Sequence, residues 1–203
     1  MGALAFVFSS GWASGLNCYL VVLVLGIADR VHDTSQVPDV LGRWNVLAAA
    51  GLMYAMEFVA DKVPYIDSTW DAVSTFIRPT VGAVIGILIA GQADSLNGAV
   101  ALAVGGGTAL ASHSVKAGAR LAINASPEPL SNIAASLTED LAVLGVVWYA
   151  IEHPRVAALV AGLLLAGGLV FLYVAAKLVR RGWRRWKGKT PLTAAEPGSR
   201  PPG

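Results

Sequence analysis

PRVAALVAGLLLAGGLVFLYVAAKLV, residues 154–179, is the stretch that decides the fold class. A helix needs about 20 mostly apolar residues to cross a hydrocarbon core roughly 30 Å thick. This run supplies them, with charges only near its two ends. Reading outward, five more stretches come close: roughly 3–30, 45–63, 72–91, 96–125 and 130–152. Pro64, Pro79, Pro127, Pro129 and Pro154 fall at or near their ends, where proline serves as a breaker or first-turn residue. Composition agrees: 55% of the 203 residues are hydrophobic and 14% charged, with a mean hydropathy of +0.61. Ordinary globular chains carry about 25% charged residues. The expected fold is therefore an all-α integral membrane protein of about six hydrophobic elements.

Charge is unevenly placed. Residues 1–176 hold seven Lys/Arg and twelve Asp/Glu, whereas residues 177–203 hold eight Lys/Arg and one Glu. A nucleic-acid-binding domain, with basic residues spread over a folded face, is excluded. The single cysteine, Cys18, excludes intrachain disulfides and a Cys-based zinc site. The N-terminus lacks the basic region and apolar run of a signal peptide, so the first element is itself the insertion signal. The basic tail from Lys177 to Lys189 is expected to be cytoplasmic by the positive-inside rule. Six crossings would then put both termini in the cytoplasm. The expected organisation is a first membrane repeat over 1–91, a second over 92–179, and a basic, largely disordered tail over 180–203.

Segments 3–30 and 96–125 are too long for one straight crossing, at about 42–45 Å. Each carries small residues that invite a break: Gly11 and Gly15 within a serine-rich stretch, and Gly105-Gly106-Gly107. Sliding the chain by 95 residues lays Gly11 on Gly106 and Tyr54-Ala-Met-Glu57 on Tyr149-Ala-Ile-Glu152. Two repeats of three crossings each would be inverted relative to one another, as in many transporters. The alternative is a long tilted helix that uses small residues for close packing. Gly82, Gly86 and Ala90, and Ala158, Gly162 and Ala166, form further small-residue seams suited to helix packing or a homodimer.

The informative residues are those that do not belong in lipid. Glu57 and Asp61 share a helix face, as do Asp67, Asp71 and, a further seven residues on, Arg78. His113, Lys116, Arg120 and Asn124 form a stripe, and Glu139-Asp140 lie inside the fifth element. With Lys62, this makes six carboxylates against four cations. Some have plain readings: Ser68-x-x-Asp71 and Ser136-x-x-Glu139 fit a capping box, and His113 fits a packing residue. Glu57 and the Lys116/Arg120 stripe resist such readings, because an unpaired charge among apolar side chains costs several kcal/mol. The two stripes are opposite in charge and are expected to meet in the bundle interior.

Several runs carry a resemblance: Ser14-Gly-Leu-Asn17, Glu57-Phe-Val-Ala-Asp-Lys-Val-Pro64, Ile66-Asp-Ser-Thr-Trp-Asp71 and Arg78-Pro79. Ser114-Val-Lys-Ala-Gly-Ala-Arg120, Asn124-Ala-Ser-Pro127 and Glu139-Asp140 belong with them. Over roughly residues 8–155 the chain resembles a bacterial integral-membrane family catalogued as domain of unknown function 4126. The resemblance implies a multi-spanning inner-membrane protein and no activity.

Function is therefore read from the residues. The expectation is a secondary transporter of a small anionic solute or lipid headgroup, coupled to protons. Lys116 and Arg120 would hold the anion, with Asn17, Arg78 and Asn124 beside them. Glu57, Asp61, Asp67, Asp71, Glu139 and Asp140 would serve proton or ion coupling. No motif calls for a metal or cofactor. Membrane lipids are the expected surroundings. The alternatives are an intramembrane enzyme acting on a lipid-linked phosphate, a non-catalytic assembly subunit, and a channel.

Overall fold

The computed structural model describes residues 2–32, 35–63, 65–93, 95–124 and 129–187. It contains six helices and, among the described residues, no strand: α1 (Gly2–His32), α2 (Trp44–Ala60), α3 (Ile66–Gly91), α4 (Gly98–Asn124), α5 (Pro129–Glu152) and α6 (Pro154–Lys187). Five of them, all but the 17-residue α2, are long and apolar enough to cross a membrane. Large apolar side chains such as Phe76, Leu130, Leu141 and Leu163 point outward, as expected of a bundle surrounded by lipid. α3 begins six residues earlier than the hydropathy pattern suggests. α6 continues to Lys187, through the first part of the stretch expected to be a disordered tail; residues 188–203 lie outside the described residues.

α1 does not cross. A straight 31-residue helix would hold its ends about 46 Å apart. Asn17 interrupts it with extended backbone (φ −153°, ψ 93°), leaving two 15-residue arms of about 22 Å each. Gly2 lines a cavity together with residues 152–156 and Gln92, at the end of the bundle where α3 joins α4 and α5 joins α6. This is called the upper end below. Gln36, four residues past α1, lines the same cavity, and the His32 ring packs edge-on against Trp148, one turn below the top of α5. Both arms therefore start and finish at the upper end, with Asn17 at the tip of a helical hairpin inside the bundle.

The other helices run end to end. α2 starts at the upper end, where Arg30 stacks on Trp44 at 4.1 Å. It descends until the Asp61 carbonyl meets Arg120 near the foot of α4. α3 rises, α4 descends, α5 rises and α6 descends. Five helices, α2 to α6, thus alternate in direction along the bundle, and Gly2 and Lys187 lie at opposite ends of it.

The expected breaks are displaced or absent. Gly11 and Gly15 lie within the first arm of α1, and α4 is continuous helix through Gly105, Gly106 and Gly107. These glycines serve close approach instead. A Cβ on Gly11 would sit 2.6 Å from the Gly105 carbonyl oxygen, and one on Gly82 would sit 2.8 Å from that same atom. α1, α3 and α4 thus cross almost backbone to backbone. The Gly82/Gly86 seam faces α4 and Val7 within this chain rather than a second copy. The residues aligned by the 95-residue shift also differ in setting. α1 is a hairpin where α4 is straight, and Glu57 is buried where Glu152 is exposed.

Candidate functional site

Breaking a helix leaves carbonyl oxygens without partners on one side and N–H groups on the other. At the α1 tip both sets are met by side chains. Gly15 O accepts from Arg78 Nη1 at 3.3 Å, and Leu16 O accepts from Lys116 Nζ at 3.1 Å. Two cations thus sit at the negative end of the first arm's dipole. Asn17 caps the second arm: its Oδ1 accepts the Leu20 N–H at 3.0 Å, and asparagine is among the best residues for this task. Its Nδ2 donates to Asp140 Oδ1 at 3.0 Å, and Tyr54 OH donates to Asp140 Oδ2 at 3.3 Å.

Around the tip the two charged stripes meet. Arg78 Nη2 pairs with Glu57 Oε1 at 2.8 Å, and Nη1 with Asp71 Oδ1 at 3.1 Å. Lys116 Nζ lies 2.6 Å from Asp61, 3.4 Å from Glu139 and 3.6 Å from Glu57. Arg120 Nη2 lies 2.9 Å from Glu139 and 3.6 Å from Asp61, while its Nη1 donates to the carbonyls of Asp61 and Asn132. These pairs join four carboxylates to three cations. Every one of these side chains is at most 4% exposed except Glu139, at 18%, so Glu139 marks the network's open edge. Asp61, just past α2, illustrates the balance. Burial pushes its carboxyl up, but Lys116 and then Arg120 outweigh burial and hold it below the ordinary carboxylate range.

His113 is fixed in one neutral tautomer. A guanidinium can only donate, so Arg78 Nη1, 2.9 Å away, requires a lone pair on Nδ1. Nε2 then carries the proton and donates to Thr75 Oγ1 at 3.0 Å, while the Thr75 hydroxyl donates to the Asp71 carbonyl. His113 therefore adds no charge to the network.

The remaining expected residues are distributed as follows. Asp67 is fully buried in the first turn of α3 and accepts from the Ser68 N–H. Lys62 is half-buried below the network and donates to Phe58 O and Ser136 Oγ. Asn124 ends α4, and its side chain lies outside the described residues, as does the Ala125–Pro127 run. Neither capping box forms, because α3 starts at Ile66 and α5 at Pro129, which places Asp71 and Glu139 inside helices. Tyr54, Ser112 and Asn132 escaped the sequence reading. Asn132, Ser136 and Glu139 share a helix face, and that spacing was the available signal for Asn132.

The arrangement can hold or release a proton, or exchange a carboxylate for another anion at Lys116 or Arg120. Among the described residues no group of three or more His, Cys, Asp or Glu is placed to hold a metal ion.

The profile of one protein family, described as Domain of unknown function (DUF4126), matches residues 4–174. The chain belongs to the DUF4126 family. The match takes in all the residues of the hairpin tip and its network. It extends beyond the 8–155 stretch of the sequence resemblance to cover most of α6, and it stops short of the basic end. No curated protein matches the chain, and no solved structure does.

Proposed function

We propose that this DUF4126 protein is a secondary transporter in which the network at the hairpin tip couples a small anionic solute or lipid headgroup to a proton. The observation that carries the reading is the ledger of the buried network: four carboxylates against three cations, with His113 neutral. In a medium of low dielectric such an excess is neutralised by a bound proton. Glu57 Oε2 and Asp71 Oδ2 are buried carboxylate oxygens with no hydrogen-bond partner, and they are where that proton would reside.

Both terminal nitrogens of Arg78 are engaged, by Glu57, Asp71, Gly15 O and His113, and it anchors the tip. Lys116 and Arg120 lie nearer the lower end, beside Glu139, and are the cations an entering anion would reach. The anion takes the place of a carboxylate, which then accepts a proton. The basic residues of the last part of α6, from Lys177 on, belong to the lower end, and the positive-inside rule supports a cytoplasmic lower face. The N-terminus is then extracytoplasmic. Family resemblance supports a bacterial inner membrane.

The test is flux in proteoliposomes containing a pH-sensitive dye, with inorganic phosphate, short carboxylates and a soluble lipid headgroup as probes. Solute entry should carry protons with it. Lys116→Gln and Arg120→Gln should abolish binding, and Glu57→Gln should bind without pH dependence. Unchanged flux in both cation variants refutes the reading, and recovery of a chemically altered probe favours the enzyme.

A further inference from the structure

Glu139 opens the network on the side of Lys116 and Arg120; towards the upper end the network is overlain by the first arm of α1. Phe6, Ser10 and Ser14 recur every fourth residue and share a helix face, with Asn17 three residues further on. Phe6 lines the upper cavity of about 630 Å³, together with Gln36, Gln92 and Glu152. Asn17 reaches Asp140 at the tip. Between these two ends Ser10 and Ser14 are fully buried, and neither hydroxyl has a hydrogen-bond partner in the protein.

Their neighbours behave differently. Ser9 donates back to Ala5 O and Phe6 O, and Ser112 donates to Trp12 O and to its own helix. A buried hydroxyl without a partner is destabilising, and a bridging water is the ordinary remedy. Two such hydroxyls stand one helical turn apart, about 6 Å, on a line from the cavity to the carboxylates.

We infer that Ser10 and Ser14 form the proton's access path from the upper cavity to the network. A hydroxyl accepts one proton as it passes on another, so a water–Ser10–water–Ser14 chain carries charge without any net chemical change. Phe6 closes the path at the cavity. At the inner end the path meets Asp140, with Asn17 and Tyr54 bonded to it and Lys62 and Lys116 nearby. Beyond it lies Glu57, faced by Cys18 from α1, Arg78 and Asp71 from α3, and Lys116 from α4. The inference rests on the proton-coupled reading above, and its test separates the two.

The first arm of the test is thiol accessibility in reconstituted protein carrying Cys18→Ala. Ser14→Cys and Ser10→Cys should react with a small, membrane-impermeant methanethiosulfonate added at the upper face. The rate should exceed that of Ala101→Cys, an equally buried position, by about tenfold or more, and Phe6→Ala should raise it further. Equal rates at positions 10, 14 and 101 would overturn the path, whatever the transport activity. The second arm is the rate of Glu57-dependent proton uptake after a pH jump. Ser10→Ala/Ser14→Ala should slow it severalfold while leaving the final amount unchanged. An unchanged rate overturns the path and leaves the coupling reading intact. Absence of Glu57-dependent uptake in the parent protein overturns the coupling reading instead.

Discussion

Replacing Lys116 by Met removes the one cation that touches three of the four network carboxylates. At an effective dielectric constant near 20, a unit charge 2.6 Å from Asp61 is attracted by roughly 6 kcal/mol. The pairs with Glu139 and Glu57, at 3.4 and 3.6 Å, contribute roughly 5 kcal/mol each. Most of this gross attraction is offset by the cost of taking the ammonium and carboxylates out of water, so the net loss expected for the single substitution is about 3–5 kcal/mol. The four-to-three ledger becomes four-to-two. Adding Asp61→Asn makes it three-to-two and restores the original excess of one. Lys116→Met/Asp61→Asn should therefore be more stable than Lys116→Met alone, with a coupling of roughly 2–3 kcal/mol. The assay is a double-mutant cycle by reversible SDS-driven unfolding in mixed micelles. Additivity of the two substitutions within about 0.5 kcal/mol would refute the idea that a shared charge balance governs the site.

Three further outcomes follow from the geometry. Gly15→Ala should cost about 1–3 kcal/mol, because its Cβ would press on the Ala109 carbonyl and lie 2.8 Å from His113 N, both backbone atoms of α4; unfolding in micelles checks it. Asp61, held below its ordinary value, contributes stability that is complete above about pH 4 and fades as pH falls through its lowered folded-state value. Asp61→Asn should therefore flatten the acid limb of the stability–pH curve while lowering stability at neutral pH. Protease-cleavable tags at the two termini should be cut from opposite sides of sealed vesicles, whereas cutting from one side alone would mean that α1 crosses.

Much of this site was legible before the fold. Glu57 and Asp61 against Lys116 and Arg120 follow from charge balance, because neither stripe can face lipid cheaply. The hairpin was not legible, for two physical reasons. Hydropathy counts apolar residues and is blind to direction, so two 15-residue arms read as one long span. Helix propensity drew attention to Gly11 and Gly105–Gly107, yet glycine within a bundle also permits backbones to touch, and packing decided the matter there. The break fell at Asn17, whose side chain can cap the second arm and hold Asp140 at once, a pairing 123 residues apart in sequence. Asp71 and Glu139 matched a capping template locally, but the helices begin earlier, and the two pair instead with Arg78 two turns along α3 and with Arg120 of α4.

The central claim is that the network holds a proton at neutral pH. Difference infrared spectroscopy of the reconstituted protein, recorded across a pH step, reads the protonated carboxyl stretch directly. The account predicts one such band in the parent protein at neutral pH, lost on raising the pH, and its absence from Glu57→Gln, where three carboxylates face three cations. A parent protein with no protonated carboxyl at neutral pH, or a band that persists unchanged in Glu57→Gln, would contradict it.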